Sequence, residues 1–233
     1  MRKIFGIIVV VLAVVALACQ PQERPSKVWL HRANDVAKAK YYQQEFAGLE
    51  VDVHYVNSYK TFIIEHDSDE GSDKKLEDWF ASLDRRKKLG FWIDFKNLND
   101  GNKDAAAKEL ARLRKTYDLQ GMIIVESSNA ECLKTFEDLN FRTSYYIPFF
   151  GQDASQEEKQ AVTDSIRRII NDYGINTISG FWSQYPLMRD SFPEMRKLFW
   201  YERTYDQDVR NHYINLANED EKTDVILIAV KEK

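Results

Sequence analysis

GLEVDVHY, residues 48–55, is the segment from which the architecture of this protein can be inferred. Its polar and apolar side chains alternate, which is the pattern of a β-strand, because successive side chains of a strand point to opposite faces. Glu50, Asp52 and His54 therefore share one face of the predicted strand, and the apolar side chains between them share the other. In a closed barrel the apolar face packs under helices, so the polar face looks into the barrel or its mouth.

Runs rich in β-branched and aromatic residues recur on both sides of this stretch, and helical patterns separate most of them. Together they make eight predicted strands: Val28–His31, Leu49–Tyr55, Phe91–Phe95, Gly121–Val125, Ser144–Phe149, Thr177–Trp182, Leu198–Tyr201 and Val225–Val230. Strands that alternate with helices predict a parallel α/β fold, and eight strands are the number that closes a (β/α)8 TIM barrel. An open, doubly wound sheet is the competing architecture.

The predicted helices include two candidate N-terminal capping motifs and a cysteine that we expect to be buried. Apolar residues at spacings of three and four predict helices over residues 76–83 and 106–113. Ser128-x-x-Glu131 and Ser155-x-x-Glu158 have the form of a capping box ahead of an apolar helix. Cys132 follows the first of these boxes inside an apolar pattern, and we interpret it as a buried core thiol.

Composition excludes several classes of protein. With 233 residues, 44% of them apolar and 13% aromatic, the chain has ample material for a packed core and is not disordered. The formal charge is −4, from 33 basic and 37 acidic residues that are dispersed along the chain, so no basic field for nucleic acid is expected. Two cysteines are too few for a disulfide scaffold.

The N-terminus has the features of a secretory signal. Arg2 and Lys3 precede an apolar run, residues 4–18, that is shorter than the roughly 20 residues of a membrane-spanning helix. Ala18-Cys19 at its end resembles a bacterial lipobox, which predicts that Cys19 is lipidated and becomes the first mature residue. A plain signal peptide with an incidental cysteine is the alternative.

We therefore predict three segments: a lipoprotein signal peptide (1–18), a lipidated cysteine with a polar tether (19–27), and one barrel domain (28–233). The predicted location is the bacterial cell envelope, on its periplasmic or outer-surface side, with a lipid anchor as the contact with the membrane. The domain is expected to be a monomer.

Two neighbouring carboxylates on one strand face indicate a metal site. Glu50 and Asp52 have no basic residue between them, so they repel each other, and burying both needs a compensating cation. Asp94 repeats the arrangement in the run Phe91–Phe95 and can supply a third oxygen, while Lys96 shares its face and can meet an anionic substrate. Carboxylate oxygens favour Mg²⁺ or Ca²⁺ as the divalent cation.

The order of these motifs resembles a known family. His31-Arg32, the stretch at 48–54 and FIIEHD at 62–67 are together similar to the signature of glycerophosphodiester phosphodiesterases, which are phospholipase-C-like TIM barrels. The resemblance implies three sets of site residues. They are the acid–base pair His31 and His66, the divalent-ion ligands Glu50, Asp52 and Asp94, and the phosphate-binding residues Arg32 and Lys96.

The chain also departs from the usual family pattern. Ala33 replaces the glycine that normally follows His-Arg, and Asp94 replaces a glutamate that is one methylene longer. The insertion domain after the second histidine is missing, which predicts a compact barrel. His31-x-x-Asn34, the helix pattern at 76–80 and Ile93–Lys96 are more similar to the menorin-type branch of the superfamily.

The predicted function is metal-dependent hydrolysis of a small glycerophosphodiester-like or related phosphodiester. Two alternatives stay open: a non-catalytic barrel that binds a ligand or an envelope partner, and a different metal-dependent lyase on the same barrel. His54 and His212 are assigned no proton-transfer role. Trp182, Trp200 and Tyr201 lie near predicted strand ends, where they either wall the pocket or belong to the core.

Overall fold

A computed structural model describes residues 26–67, 71–84, 88–119, 121–151, 153–201 and 207–230. The predicted signal peptide, Cys19 and the tether as far as residue 25 lie outside the described residues, so these predictions are untested. Within the described ranges, no helix is both long enough and apolar enough to cross a membrane.

Nine strands occur in the described part of the chain, and eight of them are parallel. They are β1 (Val28–Leu30), β2 (Gly48–Val56), β3 (Thr61–Ile64), β4 (Gly90–Phe95), β5 (Ile123–Ser127), β6 (Arg142–Tyr146), β7 (Thr177–Phe181), β8 (Arg196–Tyr201) and β9 (Thr223–Ile228). The order around the sheet is β1-β9-β8-β7-β6-β5-β4-β2, and β1 also pairs with β2. This pairing closes the barrel, which confirms the predicted (β/α)8 fold over the open sheet.

Strand β3 is the element outside this parallel barrel. It pairs antiparallel with the last four residues of β2, from Val53↔Ile64 to Val56↔Thr61. The hairpin extends β2 beyond the barrel rim, so the residues that follow β3 are carried over the carboxyl ends of the parallel strands, where TIM-barrel sites are built.

Seven helices surround the barrel in the described segments: α1 (Val36–Tyr42), α2 (Leu76–Ser82), α3 (Lys103–Thr116), α4 (Lys134–Glu137), α5 (Gln156–Tyr173), α6 (Tyr185–Ser191) and α7 (Gln207–Glu219). The capping box at Ser155 is confirmed, because its hydroxyl accepts from the Glu158 N–H and the Glu158 carboxylate accepts from the Ser155 N–H. The box at Ser128 is wrong. There the Ser127 hydroxyl accepts from the Asn129 N–H, and a short 3₁₀ turn begins instead.

Two apolar layers hold the barrel. The larger layer lies between the sheet and the helices and includes the buried, free thiol of Cys132, as predicted. The smaller layer fills the barrel interior with side chains from alternate strand positions: Trp29, Trp92, Ile124, Leu198, Val225 and Leu227. Gly48 and Gly90 make room for it, because a Cβ on either would lie 2.3 Å from the Trp29 indole. The interior layer is thus the floor of the barrel.

Strand register places a polar row directly above this floor. Asp52 of β2 is the partner of Asp94 in β4, Asp94 of Glu126 in β5, and Glu126 of Ser144 in β6. Residues in register point to the same face of a sheet. The row therefore runs around the inside of the barrel, between the apolar floor and the mouth.

Candidate active site

The site begins at the end of β1, where the backbone of Arg32 is left-handed with φ 51°. This conformation is costly for a residue with a Cβ. It lets the Arg32 N–H donate to Glu50 Oε2 at 2.5 Å. Glu50 is 1% exposed, and its other oxygen, Oε1, has no hydrogen-bond partner in the described structure. One oxygen of this carboxylate is therefore fixed by the backbone while the second stays available.

Glu50, Asp52 and Asp94 lie together, as the sequence predicted, and each can offer an oxygen within 4.8 Å of the others. Asp52 accepts from Asn34 Nδ2 at 2.7 Å, and its Oδ1 lies 2.8 Å from Lys96 Nζ. The same Lys96 nitrogen donates to Asp94 Oδ2 at 2.5 Å. Lys96 thus bridges two of the three carboxylates.

Burial sets the protonation of this cluster. It raises the pKa of Glu50 well above the usual range, and the charges of Asp52 and Asp94 add to the effect. Burial also raises the pKa of Asp94 to about 6, although Lys96 opposes the shift. The pKa of Asp52 is lowered, because Lys96 and the Asn34 hydrogen bond outweigh burial. Three hard oxygen donors with an unpartnered oxygen among them fit a divalent cation such as Mg²⁺ or Ca²⁺.

His31 follows β1 and is buried beside Glu50. Its Nε2 lies 3.9 Å from Glu50 Oε2, and its Nδ1 has no hydrogen-bond partner among the residues described. Burial, with a further contribution from the Arg32 charge, lowers the pKa of His31 to about 3. The imidazole is therefore neutral at physiological pH and carries a lone pair on one of its ring nitrogens.

His66 follows β3 and stands at the mouth, about one-third exposed. Its Nδ1 is 3.0 Å from Asp67 Oδ1, and its Nε2 is 3.1 Å from Arg32 Nη2. A guanidinium is only a donor, so this contact assigns the Nε2 lone pair to Arg32 and the proton to Nδ1. The hairpin thus brings the second predicted histidine to the first motif.

The other two histidines differ in position. His54 lies on the polar face of β2, and its Nδ1 is 3.6 Å from Glu65 Oε1, with both side chains about one-tenth exposed. His212 lies on the exposed face of α7. That neither transfers a proton stays a prediction.

Glu126 is a site residue that the sequence analysis did not identify. It is 1% exposed, stands in register with Asp94, and its Oε2 has no partner within the described residues. Burial, with a contribution from the Asp94 charge, raises its pKa well above the usual range. The predicted strand ended at Val125, one residue before Glu126. Continuing its alternation would have placed this carboxylate on the polar face.

The opposite side of the mouth is aromatic. Trp200 of β8 packs onto the interior layer, with its ring 4.9 Å from that of Tyr146 and 6.5 Å from that of Phe181. Tyr201, the next residue, is 2% exposed in the outer layer, and Trp182 packs against that same layer. Of the three aromatic residues singled out from the sequence, Trp200 faces the site.

Comparison with solved structures finds the same barrel in other proteins. A glycerophosphodiester phosphodiesterase from Parabacteroides distasonis has a TM-score of 0.60 at 16% identity, covering 87% of this chain and 92% of its own. A phosphodiesterase from Oleispira antarctica, in complex with the product sn-glycerol-3-phosphate, has a TM-score of 0.60 at 11% identity with the same coverage. A calcium-dependent phosphoinositol-specific phospholipase C from Pseudomonas sp. has a TM-score of 0.50 at 13% identity, covering 88% and 87%.

No protein-family model matches the sequence, and no curated protein matches it. At these identities the structural likeness establishes the fold. The resemblance to the glycerophosphodiester phosphodiesterase barrels is therefore confirmed at the level of architecture.

Proposed function

We propose that this protein is a metal-dependent phosphodiester hydrolase that acts on small glycerophosphodiester-like or related substrates. One observation carries the proposal: three carboxylates with oxygens within 4.8 Å of one another lie inside the barrel, and two histidines flank them. The phosphodiesterases that share the fold support the same reaction class.

Glu50, Asp52 and Asp94 would hold the divalent ion. When bound, Mg²⁺ or Ca²⁺ supplies Lewis-acid polarisation of a phosphate oxygen and lowers the pKa of a neighbouring hydroxyl. Lys96 keeps its charge, because Asp94 and Asp52 outweigh burial and raise its pKa. It can therefore meet a second phosphate oxygen.

The two histidines would transfer the protons, and Arg32 would bind the phosphate. Neutral His31 takes the proton of the attacking hydroxyl. Arg32 moves its guanidinium from His66 to the phosphate, where its planar donors suit the oxygens. Once Arg32 has left Nε2, His66 takes up a solvent proton there while Asp67 holds its Nδ1–H, and it gives that Nε2 proton to the leaving alkoxide. If a substrate hydroxyl lies next to the phosphate, as in glycerol, its attack gives a cyclic phosphate first.

The proposed cellular location rests on the N-terminal sequence. We propose that a lipid on Cys19 anchors the chain in the bacterial cell envelope and that the domain acts there as a monomer. Assignment to the menorin-type branch stays a prediction.

Hydrolysis by the full chain, purified in detergent, tests the function. We expect turnover of bis(p-nitrophenyl) phosphate or glycerophosphodiesters with Mg²⁺ or Ca²⁺, and loss of turnover with EDTA. His31→Ala and His66→Ala should each lose roughly 10²–10⁴-fold, the usual contribution of general acid–base catalysis. His54→Ala is the control on the same face and should lose far less. If no turnover is observed with either ion, the hydrolase hypothesis is wrong and the alternative, a non-catalytic barrel that binds a ligand or partner, is favoured.

A further inference from the structure

Glu126 is a buried carboxylate that the proposed reaction does not use. It is the fourth acidic residue of the inward-facing strand positions, after Glu50, Asp52 and Asp94. Lys96 bonds to two of the four, Asp52 and Asp94. Glu50 Oε1 and Glu126 Oε2 remain without a hydrogen-bond partner in the part of the chain that the structure describes. An unpaired carboxylate in such a place costs stability.

The surroundings of Glu126 stabilise an ionised acid only in part, because the Ser179 hydroxyl and the Lys96 charge lower its pKa less than burial raises it. Two residues earlier on the same face, Ile124 belongs to the apolar floor. Ser144, its partner on β6, is fully buried, and its hydroxyl also has no partner in the described residues. A leucine or methionine could fill this position without the free-energy cost of burying a polar group. The presence of a carboxyl group therefore indicates a nearby cation.

The register places Glu126 next to the predicted divalent-cation site. Asp94 is one methylene shorter than Glu126, is its direct partner across β4 and β5, and has one oxygen on Lys96. Glu126 is not one of the three residues whose oxygens lie within 4.8 Å of one another. It therefore stands beside the three predicted ligands, where it can support the ion through an intermediate group rather than as a direct ligand.

We propose that Glu126 is a positioning residue of the divalent-cation site, and that its unpartnered oxygen raises the affinity of the three ligand carboxylates for Mg²⁺ or Ca²⁺. The inference rests on the metal site of the proposed function. Residues that act in this way on a metal site contribute 10–100-fold to its affinity.

Calorimetric titration of Mg²⁺ and of Ca²⁺ into the metal-free full chain tests this role. Glu126→Gln keeps the shape and replaces the carboxyl group by an amide, and its dissociation constants should rise about 10–100-fold. Glu131→Gln, on an exposed residue of the following turn, should bind both ions as the wild type does.

Glu126→Met separates ion binding from a structural role and guards against misfolding of the glutamine variant. In EDTA its melting temperature should equal or exceed that of the wild type, because an unpaired buried acid is gone, while its ion affinity falls. A lower melting temperature with unchanged affinity would show a structural acid and overturn the inference.

The outcomes are distinguishable from those for the proposed function. If the wild type hydrolyses phosphodiesters and Glu126→Gln binds the ions unchanged, the function stands and the inference fails. If Glu126→Gln weakens binding while the wild type cleaves no phosphodiester, the inference stands and the function fails. A wild type that binds neither ion overturns both.

Discussion

At the scale of single residues, the site depends on backbone and burial effects that composition does not reveal. The motif at 48–54 and the two histidines were predicted from the sequence, and the structure brings all seven predicted barrel residues to one mouth. The left-handed backbone of Arg32 was not predictable, because arginine rarely adopts it. Neither was the bridge from Lys96 to Asp52 and Asp94, since the alternation fixes a face and not a partner. Their catalytic roles stay predictions.

His31 gives a residue-scale prediction about pH. The unfolded chain takes up a proton at this residue near pH 6.5, whereas the folded protein holds it neutral down to about pH 3. Folding stability from this residue is therefore present above pH 6.5 and lost as the pH falls.

Urea denaturation in EDTA at pH 7 and pH 5 measures the effect. The unfolding free energy of the wild type, relative to His31→Asn, should fall by about 1–2 kcal/mol between these pH values. Comparison with the variant removes the opposing titrations of Asp94, Glu50 and Glu126, which both proteins share. A constant difference would mean that His31 titrates normally.

Among the secondary-structure elements, the positions of the strands were predicted reliably from the sequence, whereas the residues at which strands end were not. All eight barrel strands were predicted, because each contains its own run of β-branched and aromatic residues, and this local signal does not depend on which strands pair with it. Strand β5 was predicted to end at Val125, and its pairing with β4 shows that it continues through Glu126. The capping box at Ser128 was wrong for a related reason: the Ser127 hydroxyl competes for the same turn.

Two adjacent residues of strand β8 face opposite sides of the sheet, so their substitutions should have different effects. Trp200→Ala should raise KM for an aryl phosphodiester more than it lowers kcat, because the ring walls the mouth. Tyr201→Ala should leave KM unchanged and lower the unfolding free energy by about 3 kcal/mol, since it empties a core position. Steady-state kinetics and urea denaturation on both variants check the pair. Equal effects on KM would remove Trp200 from the mouth.

At the scale of the whole molecule, the two ends of the barrel differ in chemistry. The carboxyl ends of the strands carry the acidic row and the histidines. At the amino ends, Asp224 of β9 accepts from Arg142 of β6 at 2.5 Å and from Arg196 of β8. Burial alone would raise the pKa of Asp224, but these hydrogen bonds bring it below the usual range. This cluster of charged side chains connects three strands below the apolar floor. In TIM barrels, this end serves stability and the other serves function.

Asp224→Asn should therefore destabilise the fold without altering the site. The amide loses the charge and one of the two acceptor oxygens, and its NH₂ group faces a guanidinium donor, so we expect a loss of about 1–2 kcal/mol, or a melting temperature lower by roughly 2–8 °C. The dissociation constants for Mg²⁺ and Ca²⁺ should be unchanged, because the floor of Trp29, Trp92 and Leu198 separates the two ends. Differential scanning calorimetry and ion titration on the same preparation measure both quantities. Weaker ion binding in this variant would show that the two ends are coupled through the floor, and the division of the barrel would be wrong.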